Sequence, residues 1–387
     1  MEKLKILLYS SSTADAQTVF HELTTGLAQT MGQTADVRLV NSSQEIDDET
    51  LVKFDILHVF GCWEMSSARL IIKAHNLHTP TVYSPLGGLQ PWVLKRHRST
   101  YLYRLQKRAV QCASAVHLCS NLERETFQRL GWNTRFKLIK NPVLSSLISF
   151  EEFGQRLLVF YQKVLDTHAR LLLSQESCVA IGNLLELGVD VDVLHDRDHR
   201  TKMHDDLSKL SPTDWRRIKI YSNDERIEVT LEKGLERIKF IAPKVVVEEI
   251  DRFKGVVDYS SGDLKEDELT YKSSITMDRL TNSIKLEEVN EKRLCYMLLN
   301  LKYEIDHNFA PLLHLANVYV AFRFWEMNED RLRELAKILH IHDFAQRLTS
   351  VLRDIMRLSE GFMPFQPLDD KSTAQLKRNI TKFNIWH

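Results

Sequence analysis

The sequence predicts a mixed fold: an α/β part built as a Rossmann-like parallel sheet, followed by a largely all-α region. Three observations predict it. Up to about Pro142, short apolar runs alternate strictly with amphipathic helical patterns. Those runs hold too few polar residues to leave one face in water, as expected of parallel strands covered on both sides. After Asn141-Pro142 the texture turns to Leu, Glu, Lys and Arg at helical spacing, and strand alternation fades.

Each element has its own signal. "LKILLYS" reads as a first strand, "AQTVFHELTTGLAQTMG" as a helix ended by glycine, and "ADVRLV" as a second strand. "FDILHVFG" is a third strand, "SSARLIIKAHNL" a helix capped by serine, and "PTVYSPLGG" a fourth strand that runs into a turn. "STYLYRLQKRAVQCA" is helical, "SAVHLCS" a strand, "NLERETFQRLG" a helix and "RFKLIKNPV" a closing strand. Downstream, "EEFGQRLLVFYQKVLDTHARLLL", "QESCVAIGNLLELG", "SPTDWRRIKIYSNDERIEVTLEKGLERIKF" and the stretch from "EEVNEKRL" to "DIMRL" are helical patterns. The polar "SSGDLKEDELTYKSSIT" suits a flexible connector. The expected domains are 1–145 (sheet), 146–258 (helical), 259–277 (connector) and 278–387 (helical lobe).

The chain has 387 residues, enough for two or three cores. Its formal net charge is zero, so nothing global points to nucleic acid as a partner. Five cysteines, odd in number and without C-x-x-C spacing, fit a reduced intracellular setting better than a disulfide framework. "MEKLKILLYSSS" reads as a strand rather than a signal peptide, and no segment reaches the roughly 20 apolar residues of a membrane span. The expectation is a cytoplasmic protein, at most peripheral at the inner face of a membrane.

In an open parallel sheet, ligands bind outside the carboxyl ends of the strands. Three loops fall there: "SSSTAD" after the first strand, "GCWEMSS" after the third and "PLGGLQPW" after the fourth. Small, hydroxylated and aromatic residues suit a polar, ring-containing ligand; the same serines also suit helix caps, and the glycines simple turns.

In order and spacing, "FDILHVFGCW", "TPTVYSPLGGLQPW", "KRAVQCASAVHLCSNLERETFQRLG" and "FKLIKNPV" resemble the acceptor-side, N-terminal domain of family 4 glycosyltransferases, which have the two-domain GT-B fold. The resemblance spans roughly the first 145 residues. It implies metal-independent transfer of a sugar from a nucleotide-sugar co-substrate, with no other cofactor, to an acceptor in surface-polysaccharide or glycolipid assembly. Gly61, Trp63, Gly87, Gly88 and Glu123 keep the family pattern, and the candidate substrate-binding residues are these with Leu86, Ser120 and, from the loop after the first strand, Ser11, Ser12 and Thr13. Glu64, the carboxylate in the third-strand loop, is the candidate catalytic base.

The chain departs from the family pattern at defined places. Leu86 stands where the resembling enzymes usually carry a histidine, and a leucine can neither give nor take a proton. "SSSTAD" replaces the usual glycine-rich turn. A second Rossmann-like domain should carry two glutamates eight positions apart around a "GFG"-like turn. Glu360, Gly361 and Phe362 begin such a pattern, yet Leu368 occupies its last position. Glu326 and Glu334 have the spacing but lie in "EMNEDRLRE", which reads as a solvated helix face. The donor site is therefore not identified, and a second expectation stands beside the first: a non-catalytic scaffold, or half of a split enzyme, that holds a protein partner through its C-terminal helices. Phe322, Phe324 and Trp325 are the aromatic candidates for such a contact.

"LKRHRSTYLYRLQKR" places Lys95, Arg96, Arg98, Arg104, Lys107 and Arg108 around two tyrosines. It suits a helix on an anionic membrane surface, where a lipid-linked acceptor would lie, or an ordinary solvated helix. His195, His199 and His204 cluster among aspartates, but Arg197, Arg200 and Lys202 between them oppose a cation, and His340 and His342 suit solvent or a helix end. No metal site is expected.

Overall fold

The computed structural model describes residues 3–10, 17–143, 147–246, 250–254, 263–271 and 273–383. Its contacts divide the chain into two compact units: Met1–His168 with Val247–Lys254, and Ala169–Val246 with Gly255–His387.

The first unit is α/β. Its elements are β1 (Lys5–Ser10), α1 (Gln17–Met31), β2 (Asp36–Val40), α2 (Asp48–Lys53), β3 (Ile56–Phe60), α3 (Met65–Asn76) and β4 (Thr81–Ser84). There follow α4 (Pro91–His97), α5 (Tyr101–Cys112), β5 (Ala115–Leu118), α6 (Asn121–Leu130), β6 (Phe136–Leu138) and α7 (Phe150–Thr167). The strands form one sheet in the order β2-β1-β3-β4-β5-β6, and every pair is parallel. All residues of β3, β4 and β5 are buried, as their apolar content requires.

Alternate side chains feed two cores. Leu7, Tyr9, Leu57, Val59, Tyr83 and Val116 pack with Ala68 and Ile71 of α3, Ala109 and Val110 of α5 and Phe127 of α6. Ile6, Leu8, Ile56, Phe60, Val82 and Ala115 pack with Leu23 and Leu27 of α1 and Phe153, Leu157 and Tyr161 of α7. The sheet unit therefore runs to His168 rather than to about residue 145: without α7, much of one face would lack its cover. The basic stretch expected as one helix is two, because the chain breaks at Arg98–Thr100 before Thr100 caps α5 through the Tyr103 N–H.

The regular elements among the second unit's described residues are all helices: α8 (Gln175–Val189), α9 (Arg197–Ser208), α10 (Pro212–Asp224), α11 (Glu228–Ile238) and α12 (Ser274–Ser283) come first. After them run α13 (Val289–Asp306), α14 (Leu312–Phe324), α15 (Glu329–Ile338), α16 (His342–Met356) and α17 (Lys371–Thr381). One apolar core joins them. Residues 259–262 and Lys272 of the expected connector lie outside the described residues, but residues 263–271 are tied down rather than flexible. Leu264 and Leu269 are buried, and the Asn300 amide donates to Lys265 O and Glu268 O and accepts from Thr270 N.

Glycines let α8 approach its neighbours. A Cβ at Gly188 would collide with Thr230 O, one at Gly234 with Leu184 O, and one at Gly182 would stand 2.5 Å from Ile355 O. Backbone carbonyls cannot rotate aside as side chains can, so Gly188→Ala should cost about 1–3 kcal/mol or more by overpacking. A thermal midpoint for Gly188→Ala equal to the parent's would refute this contact.

Candidate functional site

The loops after β3, β4 and β5 meet at the carboxyl edge of the sheet. After β3, Gly61 turns at φ 96° and its N–H donates to Ser84 O at 3.0 Å. Trp63 follows at φ 66°, a left-handed conformation unusual for a bulky residue. Three contacts hold it there. Its N–H donates to Gln106 Oε1 at 3.0 Å, its indole N–H donates to Gly88 O at 2.6 Å, and its ring stacks on His97 at 4.2 Å. Gln106, buried on α5, also donates to the Tyr83 hydroxyl at 3.0 Å. Burial pushes the neighbouring Cys62 thiol up to about 12, so it stays protonated.

The loop after β4 is shaped by left-handed Leu86 (φ 48°) and Gly87 (φ 83°). Gly88 has no room for a side chain, because a Cβ would collide with that of Cys62. Leu86 packs against the core between the sheet, α1 and α7, so its apolar character serves packing. Glu123 clasps this loop to the next: Oε1 accepts from Gly87 N and Oε2 from Cys119 N, both at 2.7 Å. Burial raises its pKa, while the two backbone N–H groups pull it back. Ser120 caps α6 by accepting from Glu123 N at 3.1 Å.

Of the residues expected to bind substrate, Gly61, Trp63, Leu86, Gly87, Gly88, Ser120 and Glu123 are thus brought together, with Ser120 and Glu123 committed to holding the loops. Ser11, Ser12 and Thr13 lie outside the described residues. Glu64, half-buried at the start of α3, accepts from Ser67 Oγ at 3.2 Å. Its carboxylate makes no cap hydrogen bond.

A second constellation was not anticipated. Beneath the loops, five fully buried groups form one chain. Tyr161 OH lies 2.5 Å from His58 Nδ1, His58 Nε2 2.7 Å from Ser84 Oγ, Ser84 Oγ 2.7 Å from His117 Nδ1, and His117 Nε2 2.9 Å from Ile139 O. The carbonyl can only accept, which sets every proton. His117 Nε2–H donates to it, Ser84 O–H donates to His117 Nδ1, His58 Nε2–H donates to Ser84, and Tyr161 O–H donates to His58 Nδ1. Burial holds His117 down at about 4 and His58 well below the usual histidine range, so both rings are neutral. The legible signal was a histidine in the middle of each of two apolar strands, "ILHVF" and "AVHL".

Lys95 and Arg96 are exposed on α4, Arg98 at the break, and Arg104, Lys107 and Arg108 on α5. Arg98, Arg104, Lys107 and Arg108 line a pocket of about 320 Å³ with Ser99, Thr100, Tyr103 and Gln111.

In the helical unit the other candidates are dispersed. His195 is exposed, His199 stands 3.7 Å from Glu186, and the His204 ring meets Phe240 at 5.2 Å. Among the described residues no group of three or more His, Cys, Asp or Glu could hold a metal ion. Glu334 pairs with Arg331 at 2.6 Å, while Glu326 accepts at its backbone carbonyl from Asn290. Phe362 lies under the Arg323 guanidinium at 3.7 Å. Phe322 is buried, Trp325 lies under Arg293 at 4.8 Å, and Phe324 is 47% exposed. No helix of the described residues is long and apolar enough to cross a membrane. Comparison with protein-family models, with curated proteins and with solved structures found no match.

Proposed function

We propose that the α/β unit is the acceptor-binding part of a glycosyltransferase-like protein. It would transfer a sugar from a nucleotide-sugar donor to a glycan or lipid-linked acceptor in surface-polysaccharide assembly. The observation that supports it most is the meeting of the loops after β3 and β4 at the carboxyl edge, in the very segments that resemble family 4 glycosyltransferases. Trp63 offers a ring-lined wall and Glu64 a carboxylate within that edge. In this reading Glu64 takes the proton of the acceptor hydroxyl, since Leu86, packed against the core, has no group that could. The cations of α4 and α5 suit a cytoplasmic protein resting peripherally on the anionic inner face of a membrane.

The test is calorimetric titration with a panel of nucleotide sugars, followed by transfer assays on lipid-linked acceptors. Saturable binding and turnover are expected, with Glu64→Ala abolishing turnover while the fold persists. Unchanged transfer by Glu64→Ala would remove that residue from the mechanism.

A second reading, a non-catalytic scaffold or half of a split enzyme, is favoured by one observation. The described residues of the second unit contain no strand, so no second Rossmann-like half is there to grip a donor. Failure of every nucleotide sugar to bind, with co-purification of a transferase partner, would support this alternative.

A further inference from the structure

From residue 65 to residue 122 the chain carries eight lysines and arginines and no aspartate or glutamate, although the whole protein is formally neutral. By contrast, four arginines of the helical unit, Arg331, Arg333, Arg347 and Arg353, each reach at least one carboxylate at 3.0 Å or less. The cations at the α4–α5 elbow have no such partner among the described residues. Arg104 and Arg108 are one helical turn apart on the same face of α5, with Lys107 beside them and Arg98 just before the helix. Like charges at that spacing repel, and the first turn of α5 holds no acidic residue to offset them. The same cations line, with Ser99 and Thr100, the pocket of about 320 Å³.

We infer that this elbow pocket binds phosphate groups, in particular a pyrophosphate or the phosphate of an anionic lipid headgroup. Three guanidinium forks and an ammonium around one concavity supply paired N–H donors for phosphate oxygens, and the bound charge would relieve the repulsion along α5. The size of the pocket admits a group of this kind and the absence of carboxylates excludes a metal cation. The inference shares with the proposed function only its lipid arm, so failure of sugar transfer leaves it standing.

The probe is inorganic pyrophosphate, titrated into the full chain by calorimetry. In parallel, co-sedimentation with phosphatidylglycerol-containing vesicles is compared with pure phosphatidylcholine. Saturable pyrophosphate binding that weakens at least about tenfold in the Arg104→Gln/Arg108→Gln double variant would establish the pocket with a soluble ligand. Retention by anionic vesicles alone, with the same loss in the variant, would establish it with lipid as the phosphate source. Binding in neither experiment, or binding that the double variant retains, overturns the proposal; far-UV circular dichroism of the variant guards against misfolding.

Discussion

Glu225→Gln is expected to lower the stability of the helical unit by about 3–5 kcal/mol, the range for removing one partner of a buried ion pair. Glu225 is fully buried at the end of α10. Its carboxylate accepts from Arg170 Nη2 at 2.8 Å, Lys382 Nζ at 2.8 Å and Leu312 N at 3.0 Å. One side chain thereby ties the segment before α8, the start of α14 and the end of α17. Burial already outweighs the Glu225 charge and holds the Lys382 pKa below its ordinary value. With glutamine there, Lys382 would keep the donor contact to Ala310 O but lose its counter-charge.

The variant should regain stability as pH rises toward the ordinary lysine value, because the unfolded chain then binds the proton that the fold refuses. Lys382→Met in the Glu225→Gln background should recover much of the loss. Urea unfolding of all three proteins, with hydrogen exchange of α10, α14 and α17, gives the measurement. A loss below about 1 kcal/mol would mean that the ion pair contributes little.

The second large effect is acid lability of the α/β unit. Protonating either ring of the Tyr161–His58–Ser84–His117 chain leaves one buried hydroxyl without an acceptor, which adds to the cost of burying charge. Both histidines have folded pKa values depressed below the unfolded one, so the unfolded chain binds more protons as pH falls. Stability is present above about pH 6.5 and is lost on the way down to the folded value. For His117, held at about 4, the loss by that pH is about 3 kcal/mol.

His168, also pushed down to about 4, chiefly by burial and secondarily by the Arg135 charge, adds to the same slope. Glu186 in the helical unit works oppositely: burial raises it to about 7, so mild acid favours that unit. Exchange of β3–β5 amides measured from pH 7 to pH 5 should therefore accelerate more than that of α8, beyond the intrinsic pH effect. In His117→Gln, which keeps a donor for Ile139 O but does not titrate, the stability slope should fall by about 1.4 kcal/mol per pH unit. An unchanged slope would show that His117 is not the sensor.

The four inner strands were legible because their burial is written in their own residues: "ILHVF" and "TVYS" leave no face for water, whereas the edge strands β2 and β6 are only partly buried and showed through their short apolar runs between turns. Loops at the carboxyl edge were legible for the same reason, since "GCWE" and "PLGG" announce turns. The break inside the basic stretch was harder. Thr100 was an available cap, but the helical patterns on both sides of it run together in sequence.

Other features depend on partners far along the chain. Glu123 read as a ligand-binding residue by resemblance; its clasp on Gly87, 36 residues away, exists only once the two loops meet. His58 and Tyr161 are 103 residues apart, and Glu225 and Lys382 157, so no local pattern could pair them. Likewise α7 read as part of the helical half because its apolar stripe fits a helix bundle as well as the face of a sheet.

The sequence by itself determined where strands and helices form, which loops share an edge and where cations concentrate, since backbone preference, periodicity and charge are properties of neighbouring residues. Only the tertiary structure decided that α7 closes the sheet, that Leu86 packs against the core, that Glu123 is a clasp and that two strand histidines share one proton chain. Burial and hydrogen bonding across a hundred residues depend on which surfaces meet, and that is settled by packing rather than by any segment alone.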